Sequence, residues 1–207
     1  MPIQSRNQQP NRTNKEAMKT KTKIKSLILF AISMLISGVQ MQGQAFDSID
    51  KNPQDIAYYR PGLKSKPQVK VVYGRPNAQD DIVFGTQVPF GEVWETGSNE
   101  STEVQFFCDV MFGNKFGRAG KYVLYTIPNK NYWTIILNEK TDTYGVHFYD
   151  PKYNVAKIEV PVQKGRKLEV FSIGFNMKDY GPQMTLGFAR TRVKIPLYTE
   201  ESLISKI

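Results

Sequence analysis

From residue 68 onward, apolar residues recur at every second position. Val69, Val71 and Tyr73 alternate with Lys70, Val72 and Gly74, and Val104, Phe106, Cys108 and Val110 alternate with Glu103, Gln105, Phe107 and Asp109. Trp133, Ile135 and Leu137 share a face, as do Met184, Leu186 and Phe188. Ile158, Val160 and Val162 oppose Lys157, Glu159 and Pro161, and Val193, Ile195 and Leu197 oppose Arg192, Lys194 and Pro196. A period of two marks strands with one buried face, the habit of antiparallel sheets. Turn-forming runs separate them: FGNKFGRAG at 112–120, PNKN at 128–131, EKTDTYG at 139–145, YDPKYN at 149–154 and NMKDYGP at 176–182. This pattern predicts an all-β fold, an antiparallel β-sandwich, and is compatible with jelly-roll or barrel closure. No helical period of useful length follows residue 44. Between 167 and 176 the phase changes: Leu168 and Val170 face one way, then Phe171, Ile173 and Phe175 the other. That predicts a bulge near Phe171 or Ser172, or a strand buried on both faces. Pro161 and Pro196 suit edge positions, because proline cannot donate to a ladder.

The pattern sets the boundaries: a β domain over 68–198 and a tail over 199–207. Residues 44–67 carry three prolines and no sustained period, which predicts a linker or an N-terminal arm. Residues 1–43 read as an extension plus a secretory signal. KTKTKIK at 19–25 is a basic n-region, and LILFAISMLISGV at 27–39 is an apolar run of about 13 residues, short for a membrane span. Gly43–Gln44 is the expected cleavage point, and a leader starting at Met18 has ordinary length. The expectation is export, to the periplasm or outside the cell, with membrane contact only through the leader during export. A retained anchor is the alternative. No cysteine stands directly after the apolar run, which argues against a lipid-modified amino terminus.

Charge changes this picture little. The chain has 28 basic and 19 acidic residues; seven and one of these lie in the first 43, which leaves 21 and 18 for the rest. The basic character therefore belongs mostly to the leader, and the scattered remainder argues against nucleic acid as a partner. Cys108 is the only cysteine, so no disulfide forms within the chain. A mature part of about 160 residues buries roughly two-thirds of its unfolded surface without staples. Cys108 alternates with apolar residues and reads as a small hydrophobe.

The sequence contains no HExxH, CxxC, Walker loop, GxSxG or GxGxxG opening a helix. His147 is the only histidine, so a metal site would need it with carboxylates such as Asp142 or Asp150, and no serine is marked as a triad nucleophile. No catalytic residue, metal or cofactor is therefore assigned. The one chemically dense stretch is GEVWETGSNEST at 91–102. Its structural reading is a corner: Gly97 supplies a positive φ, Ser98 and Asn99 bond their own backbone, and Trp94 packs as a lid. Its functional reading is a rim site. Trp94 offers a stacking face, Asn99 a donor and an acceptor, and Glu100 a charged acceptor, a set suited to a glycan or an extended peptide. Arg75, in YGRP at 73–76, joins as the partner of Glu100 or of a ligand carboxylate. The candidate binding residues are thus Arg75, Trp94, Asn99 and Glu100. The tyrosines and tryptophans of the middle of the chain read as strand residues filling a core.

VVYGRP at 71–76, IVFGTQVPFGEVWETGSNEST at 82–102, AGKYVLYTIP at 119–128, WTIILN at 133–138 and TRVKIPL at 191–197 resemble the bacterial family catalogued as domain of unknown function 2911. The resemblance covers about 68–198, and the WxTGxNExT core from Trp94 to Thr102 is its most specific part. It implies an exported, β-rich protein and no particular activity. Glu95 stands where relatives often have a basic residue, and His147 where they more often have an aromatic. The leading expectation is a non-catalytic binding or interaction module. The alternatives are a hydrolase using paired carboxylates, Glu100 with Glu95 or Asp142, and a structural envelope protein.

Overall fold

Among the described residues alternation becomes ladder in nine strands, numbered here in chain order: β1 (Gln54–Tyr59), β2 (Val69–Gly74), β3 (Glu103–Phe106), β4 (Val110–Phe112), β5 (Lys115–Gly117), β6 (Gly120–Pro128), β7 (Tyr132–Asn138), β8 (Asn154–Lys178) and β9 (Gly181–Thr199). The computed structural model describes residues 50–78, 82–179 and 181–199, together with Lys19, Lys21 and 23–27. The chain divides into units 1–48 and 49–207. In the first, the described residues are helical, and among all described residues no helix is long and apolar enough to cross a membrane. The rest of the apolar run, the Gly43–Gln44 bond and nearly all of the tail lie outside the described residues.

The fold is all-β and antiparallel. The strands form one sheet in the order β1-β2-β3-β6-β7-β8-β9-β4-β5, not closed into a barrel. The long strands explain how one sheet encloses a core. The first part of β8 pairs with β7, from Asn154 to Pro161, and its later part pairs with β9. The β8–β9 register shifts between Lys164 and Leu168 and again between Leu168 and Ser172, where the phase change predicts a bulge. Past these shifts β8 lies against the start of the sheet: Phe171 meets Tyr73 edge-on at 5.7 Å and Phe175 meets Tyr59 at 6.1 Å. Phe171 N–H donates to Pro76 O, and Ala78 N–H to Glu169 O, at 2.9 and 2.7 Å.

The enclosed core includes Val69, Val71, Val104, Phe106, Trp133, Ile135, Leu186 and Ile195. A smaller cluster of Val123, Tyr125 and Ile136 lies apart from it. Strand β6 is buried from Tyr122 through Thr126, which erases its period of two. Other departures from the sequence pattern have local causes. The run at 102–110 is two strands, because Phe107 turns outward and Asp109 accepts from Ala119 N–H at 2.8 Å across the base of the β4–β5 hairpin. Residues 54–59, expected as arm or linker, form the edge strand β1, in full register with β2. Pro161 ends the β7–β8 ladder, and Pro196 falls between the β9 ladders with β8 and β4, so their missing N–H groups cost no pairing.

Candidate functional site

The stretch 91–102 lies along β6, interrupted by one excursion. Gly91 N–H donates to Pro128 O, Trp94 and Thr126 exchange two backbone bonds, and Leu124 N–H donates to Thr102 O. Residues 95–101 leave this line and return to it. Thr102 closes the excursion, its Oγ1 donating to Thr96 O at 2.8 Å and its N–H to Glu95 O at 3.3 Å. The left-handed backbone falls at Thr96 (φ 61°) and Asn99 (φ 66°), not at the expected Gly97. Left-handed geometry costs a β-branched residue about 1–2 kcal/mol. At Thr96 the surroundings hold it: Oγ1 bonds Thr126 Oγ1 at 3.1 Å and Trp94 O at 3.3 Å. Gly97 is needed for space, since a Cβ there would lie 3.0 Å from both Gly74 O and Thr102 Oγ1.

Trp94 is buried, 7 % exposed, at the centre of an aromatic cluster. Its ring meets Phe171 at 5.1 Å, Phe84 at 5.8 Å and Trp133 at 6.1 Å edge-on, and lies nearly parallel to Phe188 at 6.4 Å. Its Nε1–H donates to Gly97 O at 3.1 Å, so the indole locks the excursion to the core.

Beside this cluster opens a cleft of about 360 Å³. Trp94 and Phe188 contribute to its wall, with Glu92, Glu95, Gln87 and Ser98 among its polar residues. Glu95 is half-buried, and burial pushes its carboxyl above the ordinary value of 4.5; its own backbone N–H and the charge of His147 pull the other way. Among the described residues no lysine or arginine forms an ion pair with it, and no basic residue lines the cleft. The Ser98 hydroxyl is buried without a partner. Such a cleft can take a ligand that presents both an apolar surface and hydrogen-bonding groups.

Of the four candidate residues, only Trp94 lines this cleft. The other three hold the chain's own amino-terminal segment. Asn99 Nδ2 donates to Asp50 Oδ2, and Glu100, exposed, accepts from Gln54 Nε2 at 3.3 Å. Arg75 pairs with Asp55 at 3.0 Å, not with Glu100, while its Nε donates to Phe171 O at 3.2 Å and its NH2 group to Ser172 Oγ at 3.1 Å. Asn77 adds a bond to Lys51 O, and Arg75 N–H one to Pro53 O. The polar rim thus receives a segment of the chain itself, residues 50–55, bent at 51–52 and entering β1 at Gln54.

Glu95, Glu92 and Gln87 carry the cleft's polar character. The sequence marks Glu95 by its place after Trp94 and as one half of a candidate acid pair. Of the proposed acid pairs, Glu95 lies in the cleft, while Glu100 binds Gln54 and Asp142 binds Lys121 at 3.1 Å. Asp150 pairs with Lys152 at 3.0 Å, and His147 is exposed on a short 3-10 turn. Among the described residues no three His, Cys, Asp or Glu gather into a metal site.

The family described as Protein of unknown function (DUF2911) matches residues 53–197, and the chain belongs to it. No curated protein and no solved structure matches the chain.

Proposed function

We propose that this chain is an exported protein, periplasmic or extracellular, whose β domain is a non-catalytic binding module. A polar ligand, a glycan or a peptide segment, seats in the cleft beside Trp94 and Glu95. One observation carries this reading: a half-buried carboxyl that no lysine or arginine pairs with among the described residues, in a concave site walled by aromatic rings. A desolvated acid in a cleft is costly to the fold alone, and such groups concentrate at functional sites. The left-handed Thr96 next to it supports the same view, since backbone strain also gathers there. The cleft's size suits one or two sugar rings or a short run of side chains. Arg75, Asn99 and Glu100 act at one remove, by fixing the arm and the excursion that carry the site.

Calorimetric titration against a glycan and peptide panel tests this. Binding by the wild type, weakened about tenfold or more in Glu95→Ala with the fold intact, is the expected result. Equal binding by the two proteins, or none by either, counts against it. Export is tested separately by mass spectrometry of the secreted or periplasmic chain, which is expected to begin at Gln44.

The envelope-protein reading has one observation in its favour. Strand β1 is an edge that leaves Ile56 and Tyr58 exposed, and such an edge can pair with another chain. Concentration-dependent assembly abolished by Ile56→Lys would support it; a monomer at all concentrations would not.

A further inference from the structure

On a different part of the aromatic cluster lies a second pocket, of about 150 Å³. The β6–β7 turn contributes Asn129 and Lys130, strand β9 contributes Arg190 and Thr191, and Phe84 and Trp133 supply aromatic surface. Phe84 and Trp133 pack edge-on at 4.6 Å. Three features distinguish this pocket from the Glu95 cleft. Among the described residues its charged lining is basic, Lys130 and Arg190, with no carboxylate. Neither cation is in an ion pair among the described residues. Trp133 is 2 % exposed, yet its Nε1–H has no acceptor, and it is the only buried side-chain nitrogen among the described residues in that condition.

A buried N–H that folding leaves unpaired is a rarity that asks for an acceptor. The other indole shows the normal case, Trp94 donating to Gly97 O. The polar groups along this pocket can all donate: an indole, an amide, a hydroxyl, an ammonium and a guanidinium. The unpaired indole N–H, two positive charges without an ion pair and apolar walls complement a small anion that carries a short hydrocarbon part.

We infer that this pocket binds a carboxylate, held by Lys130 and Arg190 and accepting from Trp133. The site is separate from the proposed ligand cleft and stands or falls independently of it. The carboxylate belongs either to a small free acid or to an acidic side chain of a peptide, and both fit the same donors. At this size the free acid binds weakly, in the millimolar range, because few contacts offset the cost of association.

The chain has two tryptophans, so its nitrogen-correlated proton spectrum has two indole cross-peaks. The test follows both while sodium propionate is added at constant ionic strength. The Trp133 peak is expected to shift saturably and the bonded Trp94 peak to stay in place. Propionamide, the neutral isostere, leaves both unmoved. Lys130→Gln and Arg190→Gln, the second at an exposed position, each weaken binding about fivefold, the loss expected of one charge-assisted contact. A blocked peptide with a single glutamate, compared with its glutamine version, separates the two sources. Tighter binding than propionate assigns the site to a peptide side chain, and weaker binding assigns it to a free acid. A Trp133 peak that never shifts overturns the inference. So does one that responds equally to propionamide, or a Lys130→Gln/Arg190→Gln double variant that binds like the wild type.

Discussion

Gly74 ends β2 with no room for a side chain: a Cβ there would sit 2.0 Å from Ser98 O and 2.8 Å from Ser98 Oγ. The atom in the way is backbone, so a rotamer change cannot relieve the clash. Gly74→Ala is expected to cost about 3 kcal/mol or more, the upper end for overpacking, measured by urea unfolding. Glu95 makes a prediction of the opposite kind. Its folded-state value is raised by burial, so the folded protein holds its proton more tightly than the unfolded chain. The stabilisation is complete below the ordinary value of 4.5 and is lost as pH rises through the folded value. Glu95→Gln should therefore flatten that slope and melt higher than the wild type at about pH 7, while the two converge at about pH 4. Thermal unfolding at both pH values checks it. At this scale the stretch GEVWETGSNEST contributes Trp94, Glu95 and Ser98 to the lining of the cleft. The sequence cannot reveal that the left-handed turns fall on Thr96 and Asn99, because neighbours hold Thr96 there through Thr126 and Thr102.

Between elements, Arg75 is the principal polar tie. One guanidinium joins Asp55 of β1 to Phe171 O and Ser172 Oγ of β8, on either side of its own strand end. Arg75→Ala should cost about 1–3 kcal/mol and speed hydrogen exchange of β1 amides before those of β6. Uniform exchange across the two strands would contradict this role. The contrast is Lys121, whose bonds to Glu103 and Asp142 lie at the surface, where solvent screens them and removal changes stability little. Strands with one wet face, such as β2 and β7, are legible as alternation. The bulges of β8 are legible too, as a change of phase that the register shift near Ser172 matches. Strand β6 is hidden because it is buried on both faces, and β1 because Ile56 and Tyr58 point outward while prolines flank it. An edge strand recruited by the polar rim shows no hydrophobic pattern of its own.

The unit 49–207 is one folded-over sheet whose aromatic centre faces two openings of unlike charge, the Glu95 cleft and the Lys130–Arg190 pocket. The sequence pattern carries the all-β class and the family, but it does not show that Arg75, Asn99 and Glu100 turn toward residues 50–55. Those partners lie about 20 to 50 positions away in the chain and meet only when β1 joins the sheet. The central claim is that ligand enters the cleft beside Trp94 and Glu95, and methyl spectra recorded with the glycan and peptide panel test it most directly. The account predicts that a binding member shifts the methyl signals of Val88, Val93 and Val146, all of which line the cleft, and leaves those of Val72 unmoved. Shifts confined to signals away from the cleft, or no shift with any member of the panel, would contradict it.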